Sequence, residues 1–311
     1  MNRKRFKPQN DFIFKRLFGE AETKDLLIHL LNAIFLESGG KPIVDLTIIE
    51  NKELTKELID DKTGRLDIRA ETIENEQINV EVQVAEQKHM EKRSLFYLGK
   101  MFVESIKAGE QYENLKKTIT INLLNFSFLQ TERYHSSFHL YEDRDKTQML
   151  TDIIEIHFIE YPKFRKITKD LQNPLHRWLL FLEEKLAEDQ LEELIGMDPV
   201  IKKAEDRLEW LSGDEETIRL YEAREFSKYE RNSIISSAKQ TGREEGMQEG
   251  LQEGLKEGLK EGMKTGIKEG ERKAAKEIAQ NLLSMGIDPA KVAQATGLSQ
   301  QEVEQLSRDT K

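Results

Sequence analysis

The sequence contains no cysteine. Disulfide bonds, zinc–thiolate centres, thiol nucleophiles and iron–sulfur clusters are therefore excluded. No uninterrupted apolar run approaches the ~18–20 residues that a membrane-spanning helix requires. The basic N-terminal residues 1–8 are not followed by the apolar stretch of a secretion signal. We therefore expect a cytoplasmic protein that does not enter a membrane.

The motifs of several enzyme classes are also missing. No glycine-rich phosphate-binding loop follows a predicted strand, so we expect no nucleotide cofactor. The Gly-x-Ser-x-Gly element of serine hydrolases is absent. The six histidines lack metal-ligand spacing, and we interpret all of them as structural. His135 and His139 lie four residues apart in a predicted strand, a spacing that corresponds to ~13 Å along the chain.

Charge is abundant where hydrophobic residues are scarce. The 311 residues include 58 acidic and 48 basic side chains, giving a formal net charge of −10, and only 37% are hydrophobic. A protein that coats nucleic acid passively would carry a net basic field. The balance still allows an enzyme that meets DNA through a local basic patch and a metal ion.

Hydrophobic periodicity divides the chain into four segments, which we predict at residues 1–165, 166–235, 236–273 and 274–311. The first segment begins with helical periodicity over residues 10–36 and continues with six alternating, β-branched stretches over residues 43–160. A single helix separates the third predicted strand from the fourth. This order predicts an α/β fold with a mixed central sheet flanked by helices, followed by an all-helical C-terminal region with a long glycine-repeat helix.

The second and third predicted strands form a hairpin whose register the apolar pattern selects. A three-residue loop at 73–75 pairs residues whose numbers sum to 148, such as Ile68 with Val80. A slip of one residue would place apolar side chains opposite polar ones throughout. The same register places Asp67 directly opposite Glu81.

Two directly opposed carboxylates are unfavourable in a sheet unless something compensates their charge. Arg69 is one candidate, and a bound divalent cation such as Mg²⁺ or Mn²⁺ is the other, since carboxylate oxygens suit these metals. The alternative is an ordinary solvated polar face with a chance Asp–Glu pair. The alternation pattern alone leaves these interpretations open.

Gly64-x-x-Asp67, followed on the next strand by Glu81-x-Gln83, resembles the core of the PD-(D/E)xK, or restriction-endonuclease-like, nuclease fold. More narrowly, the chain resembles the recombination-promoting nuclease family, which is also described as a transposase family of this superfamily.

Further elements of the same family pattern lie outside this core. They are the N-terminal block from Asn10 to Gly19, Arg93-x-x-x-Tyr97 in the following helix, the Glu–Gly repeats and a small helical tail. The resemblance therefore covers nearly the whole chain.

The resemblance implies a Mg²⁺-dependent DNA endonuclease, with Mn²⁺ as a plausible substitute. Asp67 and Glu81 would bind the metal, with the Val82 carbonyl as a third ligand. The metal would polarise a phosphoryl oxygen and acidify the attacking water. Gln83 stands where many superfamily members carry lysine, and it can orient water but cannot act as a base or supply positive charge. Lys88 is a candidate partial substitute.

Two alternatives to an active nuclease stay open. One is a catalytically weak nuclease fold that serves as a DNA-binding or oligomeric assembly module, as Gln83 suggests. The other is a purely structural oligomeriser without affinity for DNA. Asp11 likewise has two interpretations, as a fourth acidic group near the metal or as the N-cap of the first helix.

Arg93, Tyr97 and Lys100 share one face of the predicted helix over residues 91–108. They form either a phosphate-binding stripe that positions DNA or an ordinary solvated face. We expect the opposite face, with Leu95 and Leu98, to pack on the sheet together with Phe102 and Ile106. On that arrangement only Arg93, at the helix start, would reach the metal site.

Glycines recur at every fourth position from Gly242 to Gly270. Glycine costs ~1 kcal/mol relative to alanine in a helix, so the repeat requires an explanation. Small residues at this spacing allow two helices to approach closely, which predicts a homo-oligomer. The alternative is a flexible spacer.

The last segment carries sharp helix signals. Asp288-Pro289 begins one helix, and Ser299 with Glu302 forms a capping box at the start of the next. The pair resembles a helix-turn-helix half. The second helix has no basic residue before Arg308, which favours a small helical cap on the glycine-repeat helix over a DNA-reading element.

Overall fold

The computed structural model describes residues 5–49, 68–86, 89–183 and 186–309. Asp67 and Lys88 lie outside these ranges. The described residues form ten α-helices: α1 (Asp11–Phe18), α2 (Lys24–Ser38), α3 (Met90–Glu104), α4 (Tyr161–Phe164), α5 (Pro174–Phe181), α6 (Glu188–Met197), α7 (Pro199–Gly213), α8 (Glu215–Ser284), α9 (Pro289–Thr296) and α10 (Gln300–Asp309). They also form six β-strands: β1 (Leu46–Ile48), β2 (Ile68–Thr72), β3 (Gln77–Gln83), β4 (Thr118–Leu124), β5 (His135–Tyr141) and β6 (Met149–Glu160).

The six strands form one mixed sheet in the order β1-β2-β3-β4-β6-β5. The pairs β1–β2, β2–β3 and β5–β6 are antiparallel, whereas β3–β4 and β4–β6 are parallel. Helix α3 connects β3 to its parallel neighbour β4, because parallel strands require a crossover rather than a tight turn. The predicted mixed sheet flanked by helices is confirmed.

The β2–β3 hairpin has the register that its apolar residues predict. Ile68 pairs with Val80 and Ala70 with Ile78, so the paired numbers sum to 148. The loop closes through a hydrogen bond from the Thr72 amide to the Glu76 carbonyl. The partner predicted for Glu81 in this register is Asp67, which lies outside the described residues.

One face of the sheet carries the main hydrophobic core. Apolar residues of β2, β3 and β4 pack there against α1, α2, α5 and α7, and the largest fully buried side chains include Trp178 and Phe14. Asn10 caps α1 by accepting hydrogen bonds from the amides of Phe12 and Ile13. Asp11 is therefore the first residue of α1, and the interpretation of Asp11 as the N-cap is wrong.

Helix α3 covers the other face of the sheet, but with a different stripe from the predicted one. Its buried residues are Met90, Ser94, Leu98 and Met101, whereas Leu95 is 55% exposed. The prediction holds for Leu98, which is buried, but it is wrong for Leu95, because α3 is rotated so that Ser94 faces the sheet and hydrogen-bonds to a polar side chain there. The buried stripe therefore lies beside the row formed by Arg93, Tyr97 and Lys100 rather than opposite it.

The chain divides into two compact units, Met1–Glu225 and Phe226–Lys311. Helix α8 continues through the glycine repeat, and residues 232–274 are exposed in the chain. In the second unit, Ala279 of α8 packs with Val292, Leu298 and Val303 in a small apolar cluster. The four predicted segment boundaries stay a prediction. None of the described helices is both long enough and apolar enough to cross a bilayer.

Candidate active site

Glu81 is a buried carboxylate on the face of β3 that α3 covers. Its side chain is only 2% exposed. One carboxylate oxygen, Oε1, accepts hydrogen bonds from Arg93 Nη2 at 2.6 Å and from Gln83 Nε2 at 2.5 Å. The second oxygen, Oε2, has no hydrogen-bond partner in the part of the chain that the structure describes. A buried carboxylate oxygen without a partner is costly, so this atom marks a position at which a ligand would be stabilising.

Gln83 lies two residues further along β3 and therefore on the same face as Glu81. Its amide nitrogen donates to Glu81, which fixes the orientation of the carboxylate. A lysine at this position would present a positive charge to the same carboxylate. The glutamine supplies the hydrogen bond but not the charge, so the positive charge next to Glu81 comes from Arg93.

The three predicted DNA-contacting residues of α3 have different surroundings. Arg93 reaches Glu81 and also lies 5.0 Å from the centre of the Tyr97 ring. Lys100 points elsewhere: its side chain is 61% exposed, and its amine lies 3.9 Å from Glu104. The structure therefore brings Arg93 to the carboxylate, places Tyr97 beside the Arg93 guanidinium and leaves Lys100 on the exposed side of the helix.

Ser94 and Asn122 are two buried residues near Glu81 that sequence reasoning missed. Asn122 lies on β4 directly beside Glu81 in the parallel register. It accepts a hydrogen bond from Ser94 Oγ at 3.1 Å and donates to the carbonyl of His157. The sequence feature that could have identified this position is an asparagine in a strand of apolar residues and threonines. A buried asparagine side chain requires hydrogen-bond partners, so it indicates a polar contact inside the fold.

Further buried polar side chains lie next to Glu81 and Asn122 on the same face of β3 and β4. Asn79 and Thr120 pair across β3 and β4, and both are at most 1% exposed. The amide atoms of Asn79 and the hydroxyl of Thr120 have no hydrogen-bond partner within the described ranges. The face that the sequence left open as a solvated surface is therefore a buried polar layer between the sheet and α3.

The remaining predicted site residues are placed as follows. Val82 points its side chain into the core on the opposite side of the sheet. Asp11 opens α1, whose buried residues also belong to that core. Asp67 and Lys88 lie outside the described residues. The roles of all four at the site stay predictions.

Three histidines meet on the opposite side of the sheet around Glu155. His135 Nε2 lies 2.9 Å from His157 Nδ1, and His157 Nε2 lies 2.8 Å from Glu155 Oε1. His139 lies 3.6 Å from the second Glu155 oxygen. Spacing along one strand did not indicate this grouping, because it arises from pairing between β5 and β6.

The His135–His157–Glu155 chain perturbs the pKa values of its members. Burial, together with the neighbouring charge of His157, lowers the pKa of His135 to about 4. Burial acts to raise the pKa of Glu155, but the hydrogen bond and charge of His157, with those of Lys117, hold it at about 2. Within the described ranges, no group of three or more His, Asp or Glu side chains is arranged to hold a metal ion.

The mixed sheet, its α3 crossover and the buried Glu81 in the hairpin define a restriction-endonuclease-like nuclease fold. The model of the PD-(D/E)XK nuclease family transposases matches residues 8–238, well over half of the chain. The protein belongs to this family. No curated protein and no solved structure matches the chain.

A second family model, the C-terminal HTH domain of the Rpn/YhgA-like nuclease family, matches residues 272–308. Its helices are α9, capped by Asp288, and α10, which begins with the predicted capping box between Ser299 and Glu302. Gly297, with a φ of 71°, makes the turn between them. The match favours the helix-turn-helix resemblance of this tail over its interpretation as a helical cap alone, although its helices do pack on the end of α8.

Proposed function

We propose that this protein is a metal-dependent endonuclease that hydrolyses phosphodiester bonds in DNA, with Mg²⁺ as the working cation and Mn²⁺ as a substitute. The observation that carries the proposal is the Glu81 carboxylate, which is buried, is oriented by two donors and has one oxygen that accepts no hydrogen bond from the described residues. Membership of a nuclease family and the helix-turn-helix tail support DNA as the substrate.

The residues present fit a hard divalent cation. Carboxylate oxygens are the ligands that Mg²⁺ and Mn²⁺ prefer, and Mg²⁺ keeps several waters, so few protein ligands are needed. Glu81 would supply Oε2, Asp67 a second carboxylate from the paired strand, and Val82 a backbone carbonyl. A cation held there supplies Lewis-acid polarisation of a phosphoryl oxygen and a more acidic water.

The side chains around Glu81 divide the remaining tasks. Gln83 holds the carboxylate by its amide and can orient a water, but it cannot take up a proton. Arg93 supplies the positive charge that a lysine at position 83 would otherwise provide. Lys88, which follows β3 along the chain, is a further candidate for contact with a phosphate. Asp11 is a candidate for an additional acidic side chain near the cation.

Cleavage of supercoiled plasmid tests the proposal. Wild type with Mg²⁺ should nick the plasmid, and Asp67→Asn and Glu81→Gln should each lose the activity by about 10²-fold or more. Glu71→Gln is the matched control, because Glu71 lies on β2 and pairs with Lys116, so its activity should be retained. Equal nicking by wild type and Asp67→Asn would contradict the proposal and identify a contaminating nuclease.

A catalytically weak fold that binds DNA or assembles without cutting is the second candidate, favoured by Gln83 in place of lysine. Calorimetric titration with Mn²⁺ separates the two. An active site should bind Mn²⁺ and lose binding in Glu81→Ala, whereas an assembly module should show no Mn²⁺ binding but retain salt-dependent DNA affinity. A purely structural oligomeriser would show no salt-dependent DNA affinity.

We further propose that the glycine repeat of α8 joins copies of this chain. A β-carbon added at any glycine from Gly242 to Gly270 would meet no atom of the described residues within 4 Å, and none of these glycines has a positive φ. Neither internal packing nor backbone conformation therefore explains them. Each of six glycines precedes a large apolar side chain that is 60–77% exposed in the chain: Met247, Leu251, Leu255, Leu259, Met263 and Ile267.

The order of residues in each repeat favours a parallel pair. Glycine, an apolar residue, lysine or glutamine, and usually glutamate follow one another at ~100° intervals around the helix. In a parallel two-fold pair the apolar row of one helix faces the glycine row of the other, and the lysine row lies beside the glutamate row. An antiparallel pair would place each row opposite its own kind, with like charges together.

A further inference from the structure

Arg93 holds the charge of Glu81 through a one-sided contact. A single nitrogen, Nη2, approaches a single carboxylate oxygen at 2.6 Å, and the other oxygen accepts no hydrogen bond from any described residue. Arginine and carboxylate form their strongest pairs through two parallel hydrogen bonds. The observed contact therefore compensates the charge of Glu81 but leaves the second carboxylate oxygen available to a cation.

The two members of this pair differ in their access to solvent. The side chain of Arg93 is 28% exposed, whereas that of Glu81 is 2% exposed. The guanidinium is thus the solvent-accessible member of the pair, and the carboxylate is the buried one. The ring of Tyr97, one turn along α3, lies 5.0 Å from the guanidinium and offers it a second favourable contact.

A divalent cation on Glu81 and the guanidinium of Arg93 would be like charges a few ångströms apart in a site with little water. Such charges repel strongly, because the low local dielectric does not screen them. The same carboxylate therefore cannot be fully engaged by both. Without the cation, however, removal of Arg93 would leave a buried and uncompensated carboxylate, which is strongly destabilising.

We propose that Arg93 is a positioning residue that competes with the divalent cation for Glu81 and is released when the cation binds. The inference rests on the proposed nuclease function and adds to it an exchange of counter-ions at one carboxylate. The released guanidinium is a planar, always charged group suited to a DNA phosphate. Cation and DNA would therefore strengthen each other's binding, as reciprocal linkage requires.

Arg93→Met tests the competition, because methionine retains much of the side-chain length and removes the charge. Lys92→Met is the matched control, since Lys92 is an exposed cation at the preceding position of α3. In EDTA, Arg93→Met should melt about 5–10 °C below wild type, and Lys92→Met should melt with wild type. Mn²⁺ should raise the melting temperature of Arg93→Met more than that of wild type.

Calorimetry with Mn²⁺ gives the decisive comparison. Arg93→Met should bind Mn²⁺ about tenfold or more tightly than wild type, because the competing charge is gone. Arg93→Lys keeps a charge at the site and should stay close to wild type in melting temperature and Mn²⁺ affinity. If Arg93→Met is unfolded in EDTA, Mn²⁺ should restore its folding, and failure to do so would overturn the inference.

The outcomes separate the failure of this inference from that of the nuclease proposal. Equal or weaker Mn²⁺ binding by Arg93→Met, in a protein whose wild type binds Mn²⁺ and cuts DNA, would overturn only the competition and make Arg93 a simple support of the carboxylate. Absence of Mn²⁺ binding in both proteins would overturn the competition and the nuclease proposal together.

Discussion

The hydroxyl of Ser94 on α3 donates a hydrogen bond of 3.1 Å to the side-chain carbonyl of Asn122 on β4. Both residues are buried, and Asn122 also donates to the backbone of β6. This bond fixes the rotation of α3 over the sheet. Because Arg93 precedes Ser94, the same rotation brings the guanidinium to Glu81.

Ser94→Ala should therefore destabilise the protein, although alanine is the better helix former. The change leaves a buried acceptor of Asn122 without its donor, a loss of about 1–3 kcal/mol in the free energy of unfolding, reduced by about 0.5 kcal/mol of helix propensity. Ser137→Ala, on an exposed part of β5, should change it by less than about 0.5 kcal/mol. Urea denaturation measures both, and equal stability of the two variants would contradict the role given to Ser94.

Stability should fall on mild acidification because of His135. Its pKa is about 4 in the folded chain, below the ordinary histidine value of 6.5, so the unfolded state binds the proton first. The stabilising contribution is fully present above pH 6.5 and is lost as the pH falls towards 4. Glu155, with a pKa of about 2 against 4.5, loses its contribution only at lower pH.

Denaturation between pH 7 and pH 4 checks this assignment. His135→Gln should flatten the dependence of stability on pH in that window, although His176, whose pKa burial also lowers, should leave a remaining slope. The groups that face His135 are His157, Tyr134 and, through their charges, Glu37 and Glu155. An unchanged slope in His135→Gln would show that other groups titrate.

Asn10 and Asp11 should have separable effects. Asn10→Ala removes the N-cap of α1 and should cost about 1 kcal/mol of stability, with no change in Mn²⁺ affinity. Asp11→Asn retains a polar first-turn residue and should weaken Mn²⁺ binding if Asp11 contributes to the cation site. Calorimetry and urea denaturation of both variants measure the two quantities, and normal Mn²⁺ affinity in Asp11→Asn would remove Asp11 from the site.

Replacing alternate glycines of the repeat, Gly246, Gly254 and Gly262, with leucine should reduce the mass of the assembly. The isolated helix should become more stable, by about 1 kcal/mol per glycine replaced, but the close approach of two helices would be blocked. Light scattering measures the mass, and circular dichroism measures the helicity. Higher helicity at unchanged mass would reject self-association and favour a spacer.

Loss of assembly should also change the products of cleavage. One cation site per chain suffices to nick one strand, so a pair of chains is the simple route to a double-strand break. The leucine variant should therefore retain nicking and lose most double-strand cutting, which gel analysis of linear and open-circular plasmid measures. A monomeric variant that still makes double-strand breaks in one encounter would contradict this link.

Local sequence patterns determined the strand register, several helix starts and the location of the candidate site. Alternation of apolar and polar residues selected the register in which Ile68 pairs with Val80, because a one-residue slip reverses every side chain. Asp288-Pro289 and the Ser299–Glu302 capping box marked helix starts, because these signals act within a single turn. The family motif located Glu81 and Gln83 in the same hairpin.

The tertiary structure alone decided the rest. The sequence did not show that Glu81 would be buried, that Ser94 rather than Leu95 would face the sheet, or that His135 would meet His157. Each of these depends on contacts between elements far apart in the chain, such as the rotation of α3 over β4 and the placement of β5 beside β6. Periodicity shows that a helix has a packing face, but the surface it packs against decides which residues form that face.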